Sequence, residues 1–219
     1  VETPHRLRHL LTHYSGLRPD LDLRVEFEGG APEAIRLATE EVPVAAPGER
    51  FIYSDINFFL LGHIVEKITG KSLDLYLRET VFLPLGMRHT MFLPPASLRP
   101  RIAPTESCAP KAWPCGTPGS TMLRGVVHDP TARRMDGIAG HAGLFSTGDD
   151  LAIFARMLLA GGTWRGTRVL SPLTIAKMTR PASPPGLPVR GLGWDIDTSY
   201  SSPRGEFLPV GSYGHTGFT

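Results

Sequence analysis

The chain has 219 residues, of which 41% are hydrophobic and 20% are charged, and its formal net charge is +2. This length and composition suit one large, soluble globular domain with its own core. The near-neutral charge and the lack of a Lys/Arg run argue against a nucleic-acid partner. No apolar stretch approaches the ~18 residues that a membrane span requires.

The two ends of the sequence indicate a piece of a longer protein. The chain begins at Val1 without a methionine and stops at Thr219, inside a segment with the pattern of a strand. We therefore expect further sequence on both sides. A signal peptide would have been lost with the start, so its absence says nothing about the compartment.

Six helices are predicted from apolar periodicity and capping residues. Thr3-Pro4 begins the first helix, whose inward face would carry Leu7, Leu10 and Leu11 and which would end near Gly16. Ser54 or Asp55 is expected to cap the third helix, whose wide apolar stripe predicts that it is well buried. The other five helices are predicted at residues 31–41, 55–69, 72–82, 147–161 and 171–178.

The periodic pattern is lost in residues 94–140, which are rich in proline and glycine. An irregular region of this length is usually functional or forms the wall of a cleft. It contains both cysteines, Cys108 and Cys115, for which a local disulfide and two free thiols both remain open. Two strands are predicted to finish the chain, at residues 191–197 and from residue 207 onward.

The tripeptide Tyr53-Ser54-Asp55 is the first candidate for chemistry. A free phenol has a pKa near ~10 and is a poor base at neutral pH. A nearby ammonium group would lower that pKa and let Tyr53 shuttle a proton, and Asp55 could orient such a group or fix the tyrosine. The alternative is a tyrosine that packs ahead of a helix, with Ser54 or Asp55 only capping that helix.

The second candidate is His215-Thr216-Gly217. A donor or cation at His215, beside a strand edge, could bind a substrate carboxylate or serve a proton relay. Gly217 would let a substrate lie close to the backbone, and the amide of Phe218 could then donate to an oxyanion. The alternative is an ordinary histidine on a strand.

A third histidine, His141, lies between small residues ahead of a capped helix. The small residues could bring the backbone close to a ligand. The alternative is that His141 is a surface histidine in a tight turn. His128-Asp129-Pro130 could suggest a metal together with His141, but no third and fourth ligands are in sight, so no metal is expected. We expect Asp129 to cap a helix or to hydrogen-bond within its loop.

In order and spacing, these segments resemble the serine β-lactamase-related family, which includes class C β-lactamases, DD-peptidases and related esterases. Leu10-Leu-Thr-His-Tyr-Ser-Gly-Leu17 is similar to the family's Leu-Leu-Thr-His-Thr-Ser-Gly-Leu. Tyr53-Ser54-Asp55 resembles the Tyr-x-Asn element, and His215-Thr216-Gly217 resembles the Lys/His-Thr-Gly element. Further landmarks occur in the family's order, namely Pro47-Gly48 with Phe51, Pro84-Leu-Gly-Met87, Gly143-Leu144 with Ser146-Thr147, and Gly191-Leu-Gly-Trp194.

The resemblance implies an α/β (α+β) fold of the β-lactamase/transpeptidase type, with the site in a cleft between a helical lobe and an antiparallel sheet. Residues 1–219 would supply mostly the helical lobe and part of the sheet. The family's first element, Ser-x-x-Lys, is missing, because no serine in the chain has a lysine three positions on. The nearest match is Ser15 with Arg18, and arginine is too basic to act as the base.

The implied function is that of a serine hydrolase that forms an acyl-enzyme with a small ester, lactam or peptide, without a cofactor. Asp55 stands where β-lactamases usually have asparagine, and His215 stands where many have lysine, so esterase-like or peptidase-like activity is favoured over efficient β-lactam hydrolysis. The family also implies a periplasmic or secreted protein. The chain alone should be inactive, and the alternative is a nucleophile-less relative that only binds its ligand.

Overall fold

A computed structural model of the chain describes residues 5–22, 27–107, 121–199, 208–209 and 211–217. The helices in these ranges are α1 (Leu7–Leu11), α2 (Gly30–Glu40), α3 (Ile56–Thr69), α4 (Leu73–Leu77), α5 (Leu83–Leu85), α6 (Pro130–Arg134), α7 (Gly148–Leu159) and α8 (Pro172–Met178). A π-helical turn, Arg78–Phe82, joins α4 to α5, and a 3-10 helix covers Ala96–Arg101.

The strands of the described residues are short and pair in four antiparallel ribbons. They are β1 (Met91–Phe92) with β4 (Leu144–Phe145), β2 (Glu106–Ser107) with β3 (Met122–Leu123), β5 (Thr163–Trp164) with β6 (Thr167–Arg168), and β7 (Val189–Arg190) with β8 (Asp195–Asp197). Asp195 also forms an antiparallel bridge with Gly214, which fixes the neighbouring His215 beside β8. The result is an α+β fold, as the sequence predicts.

Five of the six predicted helices are confirmed to within a few residues. Gly70 ends α3 in the left-handed conformation with φ +67°, where a side chain would be strained. The Thr147 side chain accepts a hydrogen bond from the amide of Asp150 at the start of α7, and the Ser171 side chain does the same for Thr174 in α8. Threonine and serine are favoured at these positions because their side chains pair with amides that the helix itself leaves without a partner. The starts of both helices could therefore be predicted from the sequence.

The first helix is shorter than the sequence predicts, since α1 ends at Leu11, well before Gly16. Thr3-Pro4 lies outside the described residues, and Leu7 is 54% exposed, so it does not belong to the inward face. Gly16 has a different role. Its φ is +81°, and a Cβ there would lie 1.9 Å from the carbonyl oxygen of Ala45, so only glycine fits.

Two further predictions need correction. The helix α3 is buried only along its first half, because Ile68 near its end is 79% exposed. The strand predicted at 191–197 is instead a hairpin turn followed by β8. Gly193 takes a φ of +80°, and the amide of Gly191 donates to the carbonyl of Trp194.

The region 94–140 contains more regular structure than its composition suggests. Its described parts include the 3-10 helix, β2, β3 and α6, whereas Cys108 and Cys115 lie outside the described residues. Of the strand predicted from residue 207 onward, the described residues show only the bridge at Gly214.

Buried apolar side chains form two clusters. The first joins α1, α2, α3 and α6, and its members are Leu10, Leu17, Leu21, Ala34, Ala38, Ile56, Phe59, Val127, Ala132, Met135 and Ala139. The second joins α5, α7 and α8, and its members are Phe82, Leu85, Met87, Met157, Leu158 and Ile175. Among the described residues, no helix has both the length and the apolar character needed to cross a membrane.

Candidate active site

A cavity of about 950 Å³ opens beside the start of α3. Its walls come from five parts of the chain: the segment ahead of α3, the segment that leads into β1, residues of the 94–140 region, the segment between α6 and α7, and the described end of the chain. The polar side chains on these walls include Tyr53, Asp55, Arg101, His128, Asp129, His141, Ser146, Thr147, His215 and Thr216. A cavity of this size can hold a small organic molecule or a short peptide.

Tyr53 and His215, which are far apart in sequence, meet at this cavity. Their ring centroids are 6.0 Å apart and the ring planes are inclined by 44°. Thr216 and Gly217 line the same cavity, whereas Phe218 lies outside the described residues. The structure therefore brings together the two motifs that the sequence singled out.

The segment that carries Tyr53 is held by the turn that follows α1. The amide of Ser54 donates to Nδ1 of His13 at 3.0 Å, and its hydroxyl donates to the carbonyl of Arg18 at 2.6 Å. The amide of Asp55 donates to the carbonyl of Pro19 at 2.7 Å. Asp55 is the N-cap residue of α3, as predicted, but its side chain makes no cap hydrogen bond.

His13 is fully buried behind Tyr53, and its ring stacks on the phenol ring at 4.3 Å with an angle of 25°. Because Nδ1 accepts from Ser54, the single proton of the neutral ring is on Nε2. Burial, together with the charges of Arg190 and His215, lowers the pKa of His13 to about 3. His13 is therefore neutral at physiological pH and packs against the ring of Tyr53. The sequence did not predict this role.

His215 is also neutral near pH 7. Its residue surface is exposed at the cavity, but the protein atoms packed around the ring partly desolvate it and lower its pKa below the ordinary value, although the hydrogen bond to the Thr216 carbonyl opposes this shift. That carbonyl can only accept, so Nδ1 of His215 donates to it at 2.6 Å and Nε2 carries the lone pair. The side chain can thus accept a proton through Nε2.

Asp55, Asp129 and His141 form a polar cluster on another wall, with ligand atoms that all lie within 4.8 Å of one another. Nε2 of His141 donates to Oδ1 of Asp129 at 2.8 Å, and the same oxygen accepts from the amide of Ala132 at 2.7 Å. Asp129 therefore caps α6, as predicted. The side chain of His141 is only 4% exposed and packs on Phe59, so it is not a surface histidine.

Burial raises the pKa of Asp55 to about 6, and the neighbouring charges of Asp129 and Asp20 add to the increase while His141 opposes it. Burial would also raise the pKa of Asp129, but the hydrogen bond and charge of His141 bring it below the usual value. The two carboxyl groups thus differ in acidity, as paired acids in a functional cleft often do.

Two carboxylates and an imidazole could together ligate a divalent cation. The contacts of Asp129 and His141, however, are accounted for by the α6 cap and by their mutual hydrogen bond. His128, the other histidine that the sequence suggested for a metal, contacts Glu106 at 2.8 Å instead.

Arg190, at the end of β7, is a further charged group that sequence reasoning missed. Its side chain is fully buried, with Nη1 donating to Oδ2 of Asp195 at 3.0 Å. The guanidinium carbon lies 6.0 Å from the centre of the Tyr53 ring. The one available clue was its position directly before the landmark Gly191-Leu-Gly-Trp194.

Comparison with known proteins identifies the family of this chain. The family model described as β-lactamase matches residues 2–219. The chain belongs to the β-lactamase family. The chain is also similar to a curated protein named "Putative D-alanyl-D-alanine carboxypeptidase" from Salmonella schwarzengrund, to which it is 36% identical over 190 residues. That match covers 79% of this chain and 41% of the relative, so the chain spans about two fifths of the relative's length.

Two solved structures illustrate the similarity of fold. The D-amino acid amidase from Ochrobactrum anthropi SV3, complexed with D-phenylalanine, aligns with a TM-score of 0.61 and 25% identity, covering 90% of this chain and 56% of the amidase. A penicillin-binding protein homologue from Caulobacter crescentus aligns with a TM-score of 0.66 at 20% identity, covering 96% of this chain and 59% of the homologue. The second alignment supports the fold alone.

Proposed function

We propose that the complete protein is a serine hydrolase that cleaves ester or amide bonds through an acyl-enzyme, with Tyr53 and His215 handling protons in the cleft. The observation that carries the proposal is the approach of these two rings to 6.0 Å at one cavity of a β-lactamase-family chain. Both groups can exchange protons, and the cavity that they line has room for a substrate.

The nucleophile in this proposal is the serine of a Ser-x-x-Lys element encoded outside these 219 residues. Its hydroxyl attacks the substrate carbonyl while Tyr53, aided by the lysine, accepts the hydroxyl proton. The amides of the serine and of Phe218 hold the oxyanion. The proton then passes to the leaving group, and water later releases the acyl group from the serine.

The other polar groups of the cavity would determine which substrates bind. Asp55 is ionised above about pH 6, so at neutral pH its carboxylate only accepts hydrogen bonds and repels an anionic lactam. Thr216 and Gly217 would flank the acyl group, and His141, held by Asp129, would fix the opposite wall. The names of the Salmonella relative and of the Ochrobactrum amidase support amides of small D-amino acid compounds as the first substrates to test.

The complete protein should react with a fluorophosphonate probe at one serine and should hydrolyse p-nitrophenyl esters faster than a chromogenic cephalosporin. Peptide mapping of the labelled protein identifies the serine. A folded protein that is not labelled and turns over neither substrate would contradict the proposal and favour a nucleophile-less binding relative.

Replacing Tyr53→Phe removes the proton acceptor but retains the ring that packs on His13. We expect acylation to slow by roughly 100- to 10,000-fold, the usual contribution of general acid–base catalysis. Tyr76→Phe, on α4 and away from the cavity, is the matched control and should leave the rate unchanged. A near-normal rate for Tyr53→Phe would remove Tyr53 from the mechanism.

The 219-residue chain alone should show neither burst kinetics nor site-specific labelling, because it contains no Ser-x-x-Lys. The measurement is mass spectrometry after incubation with the fluorophosphonate, with the complete protein as the positive control. Labelling at a single serine of the isolated chain would mean that the nucleophile lies within these residues.

A further inference from the structure

Arg190 is a costly residue for the fold. Its side chain has no exposed surface, and its charge is balanced within the described residues by one hydrogen bond to Asp195. Nε and Nη2 are buried and have no hydrogen-bond partner among those residues. Burying a charge with donors left over lowers stability, since these donors lose their water. The position of the guanidinium therefore calls for an explanation beyond packing.

The guanidinium lies close to the phenol of Tyr53, with 6.0 Å between its carbon and the ring centre. The two groups are coupled electrically, because the charge of Tyr53 contributes to raising the pKa of Arg190 against the larger opposing effect of burial. Coupling between two titrating groups is reciprocal, so a positive charge at Arg190 favours the ionised form of Tyr53.

The groups around Tyr53 differ in charge at neutral pH. His13 on one face and His215 on the cavity side both have lowered pKa values and are neutral. Asp195 lies behind Arg190 and also accepts from the hydroxyl of Thr198. Asp55 is two residues along the chain and faces the cavity. Of His13, His215 and Arg190, only Arg190 carries a permanent positive charge.

We propose that Arg190 is a positioning residue for the hydrolase reaction, and that its buried charge stabilises the deprotonated phenol of Tyr53 while His13 holds the ring in place. This inference rests on the proposed role of Tyr53 as proton acceptor. A cation fixed in the protein interior is screened little by solvent, so its effect should persist at high salt.

The first test is an absorbance titration of the Tyr53 phenol in the complete protein, obtained as the difference between each variant and the same variant with Tyr53→Phe. Arg190→Met should move the ionisation of Tyr53 to higher pH by about one unit or more. Arg190→Lys, which retains the charge, should recover at least half of that shift. Arg36→Met, which breaks a surface ion pair with Glu33 and Glu40, is the matched control and should shift nothing.

Asp195→Asn should shift the ionisation of Tyr53 in the opposite direction. This test does not require the Arg190→Met variant to fold. Removing the negative charge of Asp195 leaves the positive charge of Arg190 unbalanced, so Tyr53 should ionise at lower pH than in the parent protein. Thermal melting of each variant checks that the fold is retained. An unchanged phenol titration in Arg190→Met, or a shift to higher pH in Asp195→Asn, would overturn the inference.

The second test is kinetic. In the parent background Arg190→Met should lower kcat at neutral pH by at least tenfold with little change in KM, and the limb of the pH profile due to Tyr53 should move to higher pH. In the Tyr53→Phe background, Arg190→Met should leave kcat almost unchanged, because the phenol on which Arg190 acts is no longer present. Equal losses of kcat in both backgrounds would mean a merely structural role for Arg190.

A near-normal rate for Tyr53→Phe alone would instead contradict the proposed function. The failure of this inference and the failure of the proposed function can therefore be distinguished.

Discussion

At the scale of single residues, the burial of the Asp55 carboxyl group lowers the stability of the fold at neutral pH. Its carboxyl lines the cavity, and burial raises its pKa to about 6 from an ordinary value of 3.8. The folded state therefore binds a proton more tightly than the unfolded state does. Stability is greatest below pH 4 with respect to this group, and it falls as the pH rises from about 4 to about 6.

Asp55→Asn should abolish that loss, because asparagine has no charge to bury. We expect the free energy of unfolding at pH 7.5 to increase by about 1–3 kcal/mol, and to change little at pH 4. Urea denaturation of the complete protein at both pH values provides the measurement. Asp197→Asn on the exposed end of β8 is the control and should show no such dependence. An equal effect of Asp55→Asn at both pH values would rule out the charge as the cause.

The sequence identified Tyr53 and His215 because each belongs to a recognisable motif, and the structure brings their side chains together. It did not identify His13 or Arg190 as neighbours of Tyr53. A histidine and an arginine look the same in a sequence whether they are exposed or fully buried, and only the fold determines their pKa values and partners. Both lie within or beside motifs whose purpose the sequence alone does not reveal.

At the scale of elements, the cavity depends on close backbone contacts between α3 and its neighbours. A Cβ at Gly140 would lie 2.0 Å from the carbonyl oxygen of Phe58 and 3.3 Å from the amide of Gly62. This contact sets the next residue, His141, against Phe59 and within reach of Asp129. The small residues around His141 thus serve the packing of its segment on α3.

Gly140→Ala should force the two backbones apart and lower the free energy of unfolding by about 1–3 kcal/mol, as overpacked sites do. It should also weaken the Asp129–His141 contact and reduce acylation. Gly148→Ala, at the first position of α7 where a Cβ meets nothing within 4 Å, is the matched control and should be neutral or slightly stabilising. Equal stabilities of the two variants would show that the backbone contact is not tight.

Elements with strong local patterns were predictable, and those that depend on distant pairing were not. The limits of α3 and α7 follow from Gly70, Thr147 and the spacing of their apolar residues. The ribbon of β1 with β4 escaped prediction because strands of two residues carry no periodicity. Asp150 has a role beyond the start of α7. Its carboxylate accepts from the amide of His89 and the hydroxyl of Thr90, and so ties α7 to the segment before β1.

At the scale of the whole molecule, a β-lactamase-family fold contains a cleft whose walls come from several distant segments. The fold class followed from the resemblance of motifs in order, and the family match over residues 2–219 confirms it. The predominance of helix over strand among the described residues was predictable from the apolar periodicity. The relative placement of the two apolar clusters was not, because their members come from separate parts of the chain.

The most direct test of the central claim is a crystal structure of the complete protein after reaction with a fluorophosphonate. We expect the modified serine to lie in the 950 Å³ cavity, with the phenol oxygen of Tyr53 within about 3 Å of the serine oxygen and with His215 also beside the adduct. An adduct outside this cavity, or one whose serine has neither Tyr53 nor His215 beside it, would contradict the account.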